Sequence, residues 1–203
     1  MSVSVEYSTK EISAIVLTNV LKMCERRNLI NNVNSLFDNL NIEFINKGEV
    51  EFESKNNNKI SIHHFTGKIS SIVQNSPLDE YLKNSVNVHK IVVMKEPTKR
   101  SAKQITTDYI NVEFFFEYEM MEDIPSKIFI PEHTLLLEEE KKAFLEIFKE
   151  KELAKINDTD MMSRYYNAKI GDIFKIVRAS KTAGKNIFYR KVVPGNINQL
   201  FEQ

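Results

Sequence analysis

Residues His89–Met94 read HKIVVM, a short and nearly continuous apolar run. A strand covered on both faces has this composition, whereas a strand with one wet face alternates apolar and polar residues. The run therefore asks for a layer on each side of its sheet. Downstream, Ser101-Ala102-Lys103-Gln104 has the spacing of a capping box and predicts a helix reaching about Tyr109. Val112 to Tyr118, VEFFFEY, is rich in strand formers. Strand, helix and strand across 89–118 predict a βαβ-like element.

The segment before it mixes helix and sheet signals. Ser8-Thr9-Lys10-Glu11 is a second capping box, and Ile12, Val16, Val20 and Met23 recur at helical spacing, predicting an amphipathic helix over 9–27. Val33, Leu36, Phe37 and Leu40 give a second, shorter apolar face. Val50-Glu51-Phe52-Glu53 and Ile60-Ser61-Ile62-His63 alternate with period two, and Asn56-Asn57-Asn58 between them predicts a hairpin turn. Gly67 to Gln74 is expected as a short helix closed off by Ser76-Pro77.

Ile124-Pro125 and Ile130-Pro131 bracket a predicted linker, because proline fixes φ and drives its predecessor toward extended conformations. The expected domains are 1–128 and 129–203. In the second, Glu138–Glu150 is expected as a helix. Its three leading acids match the helix dipole, and Ala143, Phe144, Ile147 and Phe148 are expected as its buried face. Asp160 is a good N-cap for a helix over 161–167. Gly171-Asp172 reads as a turn. Asp172–Arg178 and Asn186–Val193 read as strands of a β-hairpin joined by SKTAGK. The expected class is α+β.

Composition narrows the function classes. A single globule of 203 residues would bury roughly 70% of the surface its unfolded chain exposes, ample for a core. No apolar run reaches the ~18 residues that cross a bilayer, and MSVSVEYSTKE lacks the pattern of a secretory signal. Cys24 is the only cysteine, so no internal disulfide can form, and a reducing compartment fits best. Formal net charge is zero, which argues against a polyelectrolyte partner for DNA along the whole chain. The distribution is uneven. Residues 131–160 hold nine acids and five bases, and residues 161–203 hold two acids and eight bases. The C-terminal end presents either a solvated basic face or a surface for an acidic partner or phosphate.

No strong catalytic motif is present in the sequence. Gly184-Lys185 lacks the earlier glycine of a phosphate-binding loop. His63 and His64 adjoin on a predicted strand and point to opposite faces, which argues against a shared metal. Glu53-Ser54-Lys55 resembles half of a metal-dependent nuclease motif, but such sites need a second carboxylate nearby. Lys95, Lys99, Arg100 and Lys103 put four cations in nine residues beside a helix N-terminus. They form either a solvated loop or a sequence-independent phosphate contact. Arg164, Tyr165 and Tyr166 are either core packing or an interface anchor.

Ser163-Arg164-Tyr165-Tyr166, Lys169-Ile170-Gly171-Asp172, Ser180-Lys181-Thr182-Ala183-Gly184 and Tyr189-Arg190-Lys191-Val192 occur in that order in the last third. This segment resembles the assembly domain of the fifth shared subunit of eukaryotic RNA polymerases and its archaeal counterpart. NVLKMCERRNLI and HKIVVMKEPTKRSAKQ resemble the eukaryotic jaw domain of that family more weakly. Three departures stand out. The family's Asp-Pro is Asp160-Met161, its Ser/Thr before the acidic helix is Leu137, and its T-P-S-A-K loop reads TKRSAK. Leu137 forfeits a side-chain cap worth about 1 kcal/mol.

The resemblance implies an N-terminal mixed α/β jaw domain, with a nuclease-like fold lacking the active site, and a small α+β assembly domain with a β-hairpin. It implies a non-catalytic, structural subunit of DNA-directed RNA polymerase, without cofactor, metal, membrane or small-molecule substrate. The implied interface with the largest subunit comprises Arg164, Tyr165, Tyr166, Ser180, Thr182, Ala183, Gly184, Tyr189 and Arg190. Lys95, Lys99, Arg100 and Lys103 would lie near downstream duplex DNA. The expected location is the nucleus, or the virion and host cytoplasm for a viral member, toward which the Asn, Ile and Lys bias leans. A metal-dependent nuclease and a free-standing DNA-binding protein are the competing readings.

Overall fold

A computed structural model describes residues 7–85, 87–180 and 184–201. The chain divides into two compact units, Met1–Asp123 and Ile124–Gln203. Among the described residues the strands form two four-stranded sheets, one in each unit, within a mixed α+β chain.

The first unit opens with α1 (Thr9–Arg26). Its capping box forms as the sequence predicts: Ser8 Oγ accepts from the Glu11 amide, and Glu11 accepts from the Ser8 amide at 2.7 Å. α2 (Val33–Lys47) follows, then β1 (Glu49–Glu53), β2 (Lys59–Ile69), α3 (Pro77–Lys83), β3 (His89–Pro97), α4 (Lys99–Asp108), β4 (Val112–Phe116) and α5 (Glu117–Met120). The sheet order is β1-β2-β3-β4. The β1–β2 pair is antiparallel, whereas β2, β3 and β4 run parallel.

Burial explains the HKIVVM run. Lys90 to Met94 are all buried on the central strand, so both faces of β3 are covered. Register places Val50, Ile62, Ile91 and Phe115 among the residues of one face. His64 on that face meets Ser13 of α1, which places α1 over it. On the opposite face the Lys90 ammonium donates to the Leu82 carbonyl at 2.9 Å and to the Asn84 carbonyl. A buried ammonium thus satisfies the carbonyl end of α3, where the helix dipole favours a cation.

Two local expectations are corrected. Gly67–Gln74 does not form a helix. β2 runs on to Ile69, and Ser76-Pro77 opens α3 instead of ending an element, with Ser76 capping and Pro77 in the first turn. There the missing proline N–H costs nothing. The N-cap of α4 is Thr98, not Ser101. Thr98 Oγ1 accepts from the Ser101 amide, and Ser101 Oγ accepts from the Thr98 amide at 2.9 Å.

The second unit contains β5 (Glu132–Leu135), α6 (Glu138–Ile147), β6 (Ala154–Asn157), α7 (Met161–Tyr165), β7 (Ile173–Ser180) and β8 (Gly184–Val193), ending in a 3-10 turn at Ile197–Phe201. Its sheet order is β5-β7-β8-β6. β7 and β8 form the predicted hairpin, and β5 and β6, which the sequence does not announce, flank it. Ile156, Ala168, Phe174, Ile176 and Val192 form the core, with Leu135 and Tyr166 against it. Asp160 caps α7, accepting from the Met162 amide at 2.8 Å. Without a side-chain cap at Leu137, α6 keeps half of a capping box: Glu140 accepts the Leu137 amide at 2.9 Å.

The expected buried face of α6 is a further correction. No residue of α6 is buried. Ala143 is exposed, Ile147 and Phe148 are 77% and 50% exposed, and Phe144 is only half-buried. Phe144 stacks on Phe148, with ring centroids 4.6 Å apart, and leans on Tyr189 of β8 at 4.3 Å. The helix has the apolar stripe its sequence promises, and most of that stripe faces water.

Candidate interaction surfaces

The β7–β8 hairpin emerges from its own sheet. β5 pairs only with residues 174–177 of β7, and β6 only with residues 190–193 of β8. Beyond those registers Arg178, Ala179 and residues 184–188 are exposed. Ile187 and Phe188 keep 53% and 48% of their surface in water. Strand alternation sends these two neighbours to opposite faces, so the distal hairpin is apolar and uncovered on both. Among the described residues, Ile173 to Val193 contain no acid and hold Lys175, Arg178, Lys185, Arg190 and Lys191. Lys191 is paired with Glu150 at 2.6 Å.

The residues singled out for this surface take different places. Tyr165 is buried at 3% exposure and holds α7 from within. Tyr166 is half-buried against the core, edge-on to Phe174 with centroids 6.0 Å apart. Arg164 is half-exposed on the same helix. Ser180 and Gly184 pair across the hairpin end, and Gly184 adopts φ +71°, a conformation that disfavours any side chain. Tyr189 is half-buried under Phe144, and Arg190 is exposed. Thr182 and Ala183 lie outside the described residues.

Arg190 also lines a polar groove of about 360 Å³ with Lys155, Asn157, Asp160 and Gln199. Burial lowers the His133 pKa; nearby, Asp160 favours the imidazolium and Arg190 opposes it. The chain after β8 builds one wall of the groove. Gly195 donates to Asp158 Oδ1 at 2.7 Å, and a Cβ on Gly195 would fall 2.3 Å from Thr159 Oγ1. A side chain there would force Thr159 and Asn157 to shift. Sequence reading did not find this groove, because residues some 40 positions apart along the chain form it.

In the first unit Lys95, Lys99, Arg100 and Lys103 are all exposed. They gather where β3 ends and the first turn of α4 begins. Gln104 braces the neighbouring segment by accepting the Ile72 amide at 2.9 Å and donating to the Ile72 carbonyl at 3.2 Å.

Polar clusters inside this unit have structural partners. His64 Nε2 meets Glu117 at 2.7 Å, and its Nδ1 lies 3.2 Å from Ser13 Oγ. Ser13 is 6% exposed on α1, which leaves a substrate no approach. His63 points to the other face and stacks on Phe65, centroids 3.7 Å apart. Glu113 joins Arg27 through two hydrogen bonds at 2.8 and 2.7 Å and meets His89 at 2.5 Å. Burial pushes the Glu113 carboxyl up, but His89 and Arg27 outweigh it and hold its pKa at about 2. Burial pushes the Cys24 thiol up to about 12, which makes it a poor nucleophile. Lys55 of the nuclease-like string donates to Asn28 Oδ1 at 2.6 Å. Among the described residues no three His, Cys, Asp or Glu side chains are placed to hold a metal ion. No described helix is long and apolar enough to cross a membrane.

Comparison with known proteins gives these surfaces a context. The family model described as RNA polymerase Rpb5, C-terminal domain, matches residues 122–192. A DNA-directed RNA polymerase subunit Rpo5 from Methanosphaera stadtmanae is 41% identical over 75 residues, covering 36% of this chain and 97% of that protein. The DNA-directed RNA polymerases I, II, and III subunit RPABC1 of Caenorhabditis elegans is 37% identical over 108 residues, 51% of each chain. The chain thus spans about half the length of such eukaryotic relatives. A DNA-directed RNA polymerase subunit 5 of Acanthamoeba polyphaga mimivirus is 32% identical over 128 residues, 62% of each.

Proposed function

The chain belongs to the RNA polymerase Rpb5/RPABC1/Rpo5 family, and from that membership we propose that it is a non-catalytic, structural subunit of a DNA-directed RNA polymerase. Residues 129–203 dock on the largest subunit, and residues 1–128 form part of the lower jaw beside downstream DNA. The location follows the assembled enzyme: the nucleus, or the virion and host cytoplasm if the chain is viral. The observation that carries this reading is the hairpin, exposed and apolar on both faces within the matched segment. Such a surface invites a partner. Gly184, Tyr189 and Arg190 lie on it, Arg164 is half-exposed on α7, Tyr166 is half-exposed beside the core, and Tyr165 supports α7 from below. Ser180, Thr182 and Ala183 complete the proposed contact.

The test is co-purification. A tagged wild-type chain brings down the large polymerase subunits, and Arg190→Glu reduces their recovery roughly tenfold, as losing one interfacial charged contact can. Undiminished recovery with Arg190→Glu would remove this residue from the interface.

The jaw reading rests on the mostly parallel α/β architecture of the first unit, which is proposed as nuclease-like without the active site. The four exposed cations at the start of α4 support proximity to duplex DNA. Such contacts give affinity that falls with salt and is blind to sequence. Alanine at Lys99, Arg100 and Lys103 together lowers the salt slope of DNA binding by the assembled enzyme by up to about 3. An unchanged slope would leave the scaffold role and remove the DNA role.

A further inference from the structure

We infer that the open edge of β8 at residues 184–189 accepts an extended strand from another polymerase subunit, an inference that rests on the subunit reading above. The Val193 carbonyl accepts from Asp158, next to the end of β6, at 2.9 Å, whereas the Val192 amide donates to Asp172, next to the start of β7, at 2.8 Å. Odd residues of β8 therefore turn their amides and carbonyls toward β6, and even residues turn theirs toward β7. The β7–β8 register runs without a shift from Ile173↔Lys191 to Ser180↔Gly184, so this parity persists along the hairpin. Lys185 and Ile187 share the parity of Val193.

β6 begins at Ala154, opposite Arg190. Past that point no strand among the described residues pairs with this side of β8. Lys185 and Ile187 thus offer two amides and two carbonyls on the side of β8 that β6 pairs with further along. Side chains beside them are exposed on both faces, with Ile187 at 53% and Phe188 at 48%. On the Ile187 face the apolar surface continues through Tyr189 and Phe144 to Phe148, itself 50% exposed.

An apolar strand with a bare edge templates pairing unless something covers it. A partner strand satisfies the edge groups and covers both faces at once. Charge selects the occupant. The described hairpin strands hold five bases and no acid. A second copy of this chain would bring two surfaces of like positive charge together, and such juxtaposition opposes association. An extended segment carrying acidic residues beside apolar ones complements the edge.

Two measurements test this, both on the full chain and on polymerase assembled with it. The outward amides of Lys185 and Ile187 exchange fast in the free chain and slow at least about tenfold in the assembled enzyme. Exchange at the free-chain rate in the assembly would overturn strand addition. The second compares Ile187→Pro with Ile187→Val. Proline removes only an outward amide, which the β7 ladder does not use, so the free chain keeps its thermal midpoint. Co-purification of the large subunits falls roughly tenfold for Ile187→Pro and by no more than about fourfold for Ile187→Val, which loses one methylene but keeps the amide. Equal recovery of both variants would overturn the inference while leaving the subunit reading intact. If the wild-type chain recovers no polymerase subunit, the reading beneath it fails. A free chain that dimerises, and whose dimer is broken by Ile187→Pro, would replace the acidic partner with a second copy.

Discussion

His63 is a half-buried imidazole whose enclosed Nδ1 has no hydrogen-bond partner, and burial together with the neighbouring His64 lowers its pKa to about 4. Glu49 Oε2 lies 3.7 Å away, too far for a hydrogen bond, on a side chain 40% exposed. Because the folded pKa lies below the unfolded value of 6.5, the unfolded chain binds the proton more readily. His63 therefore contributes stability that is fully present above pH 6.5 and is lost as pH falls toward 4. Urea titrations should show the wild type losing about 1 to 2 kcal/mol more than His63→Leu between pH 7 and 5. Glu113 acts in a lower window. Its contribution is present above 4.5 and is lost as pH falls from 4.5 to about 2. The opposite faces of His63 and His64 follow from strand parity and were readable from sequence. The Arg27–Glu113–His89 cluster was not, because its members come from the end of α1 and from β3 and β4, and meet only in the folded sheet.

Elements were legible where two independent local signals agreed. HKIVVM, the capped helix after it and VEFFFEY specify β3, α4 and β4, which form the predicted parallel unit. β5 and β6 are four residues each, too short to show a period, and exist because β7 and β8 offer ladders to join. The α4 cap shows how a correct motif can be displaced. Ser-x-x-Gln matches a capping box, yet Thr98 lies three residues earlier and reaches the Ser70 carbonyl at 2.5 Å as well as the Ser101 amide. Thr98→Ala should cost about 1 kcal/mol in urea unfolding. Combined with Ser101→Ala, the loss should fall short of the sum, because each side chain serves the other's amide.

At the scale of the whole molecule, family membership was legible because four short motifs recur in order in the last third. The exposed face of α6 and the polar groove were not, since helical periodicity marks an apolar stripe without saying whether the same chain covers it. One relative is matched along 97% of its length by 36% of this chain, so a segment of such length suffices for an entire family member. Residues 124–203 form a compact unit with a core of their own. Expressed alone, they should give a cooperative thermal transition and dispersed amide resonances. A broad, non-cooperative melt would mean that the first unit is needed for folding.

Lys90 gives the first sheet a property its fold alone would not. With its ammonium bound to the last carbonyls of α3, this side chain rivets a seven-residue helix to the central strand. A helix that short has little standing in water by itself. Chemistry that neutralises this amine, acetylation for instance, would need it to leave its burial first. The residue is thus sheltered while the sheet is intact, and it becomes a reporter of the sheet's opening once it is not.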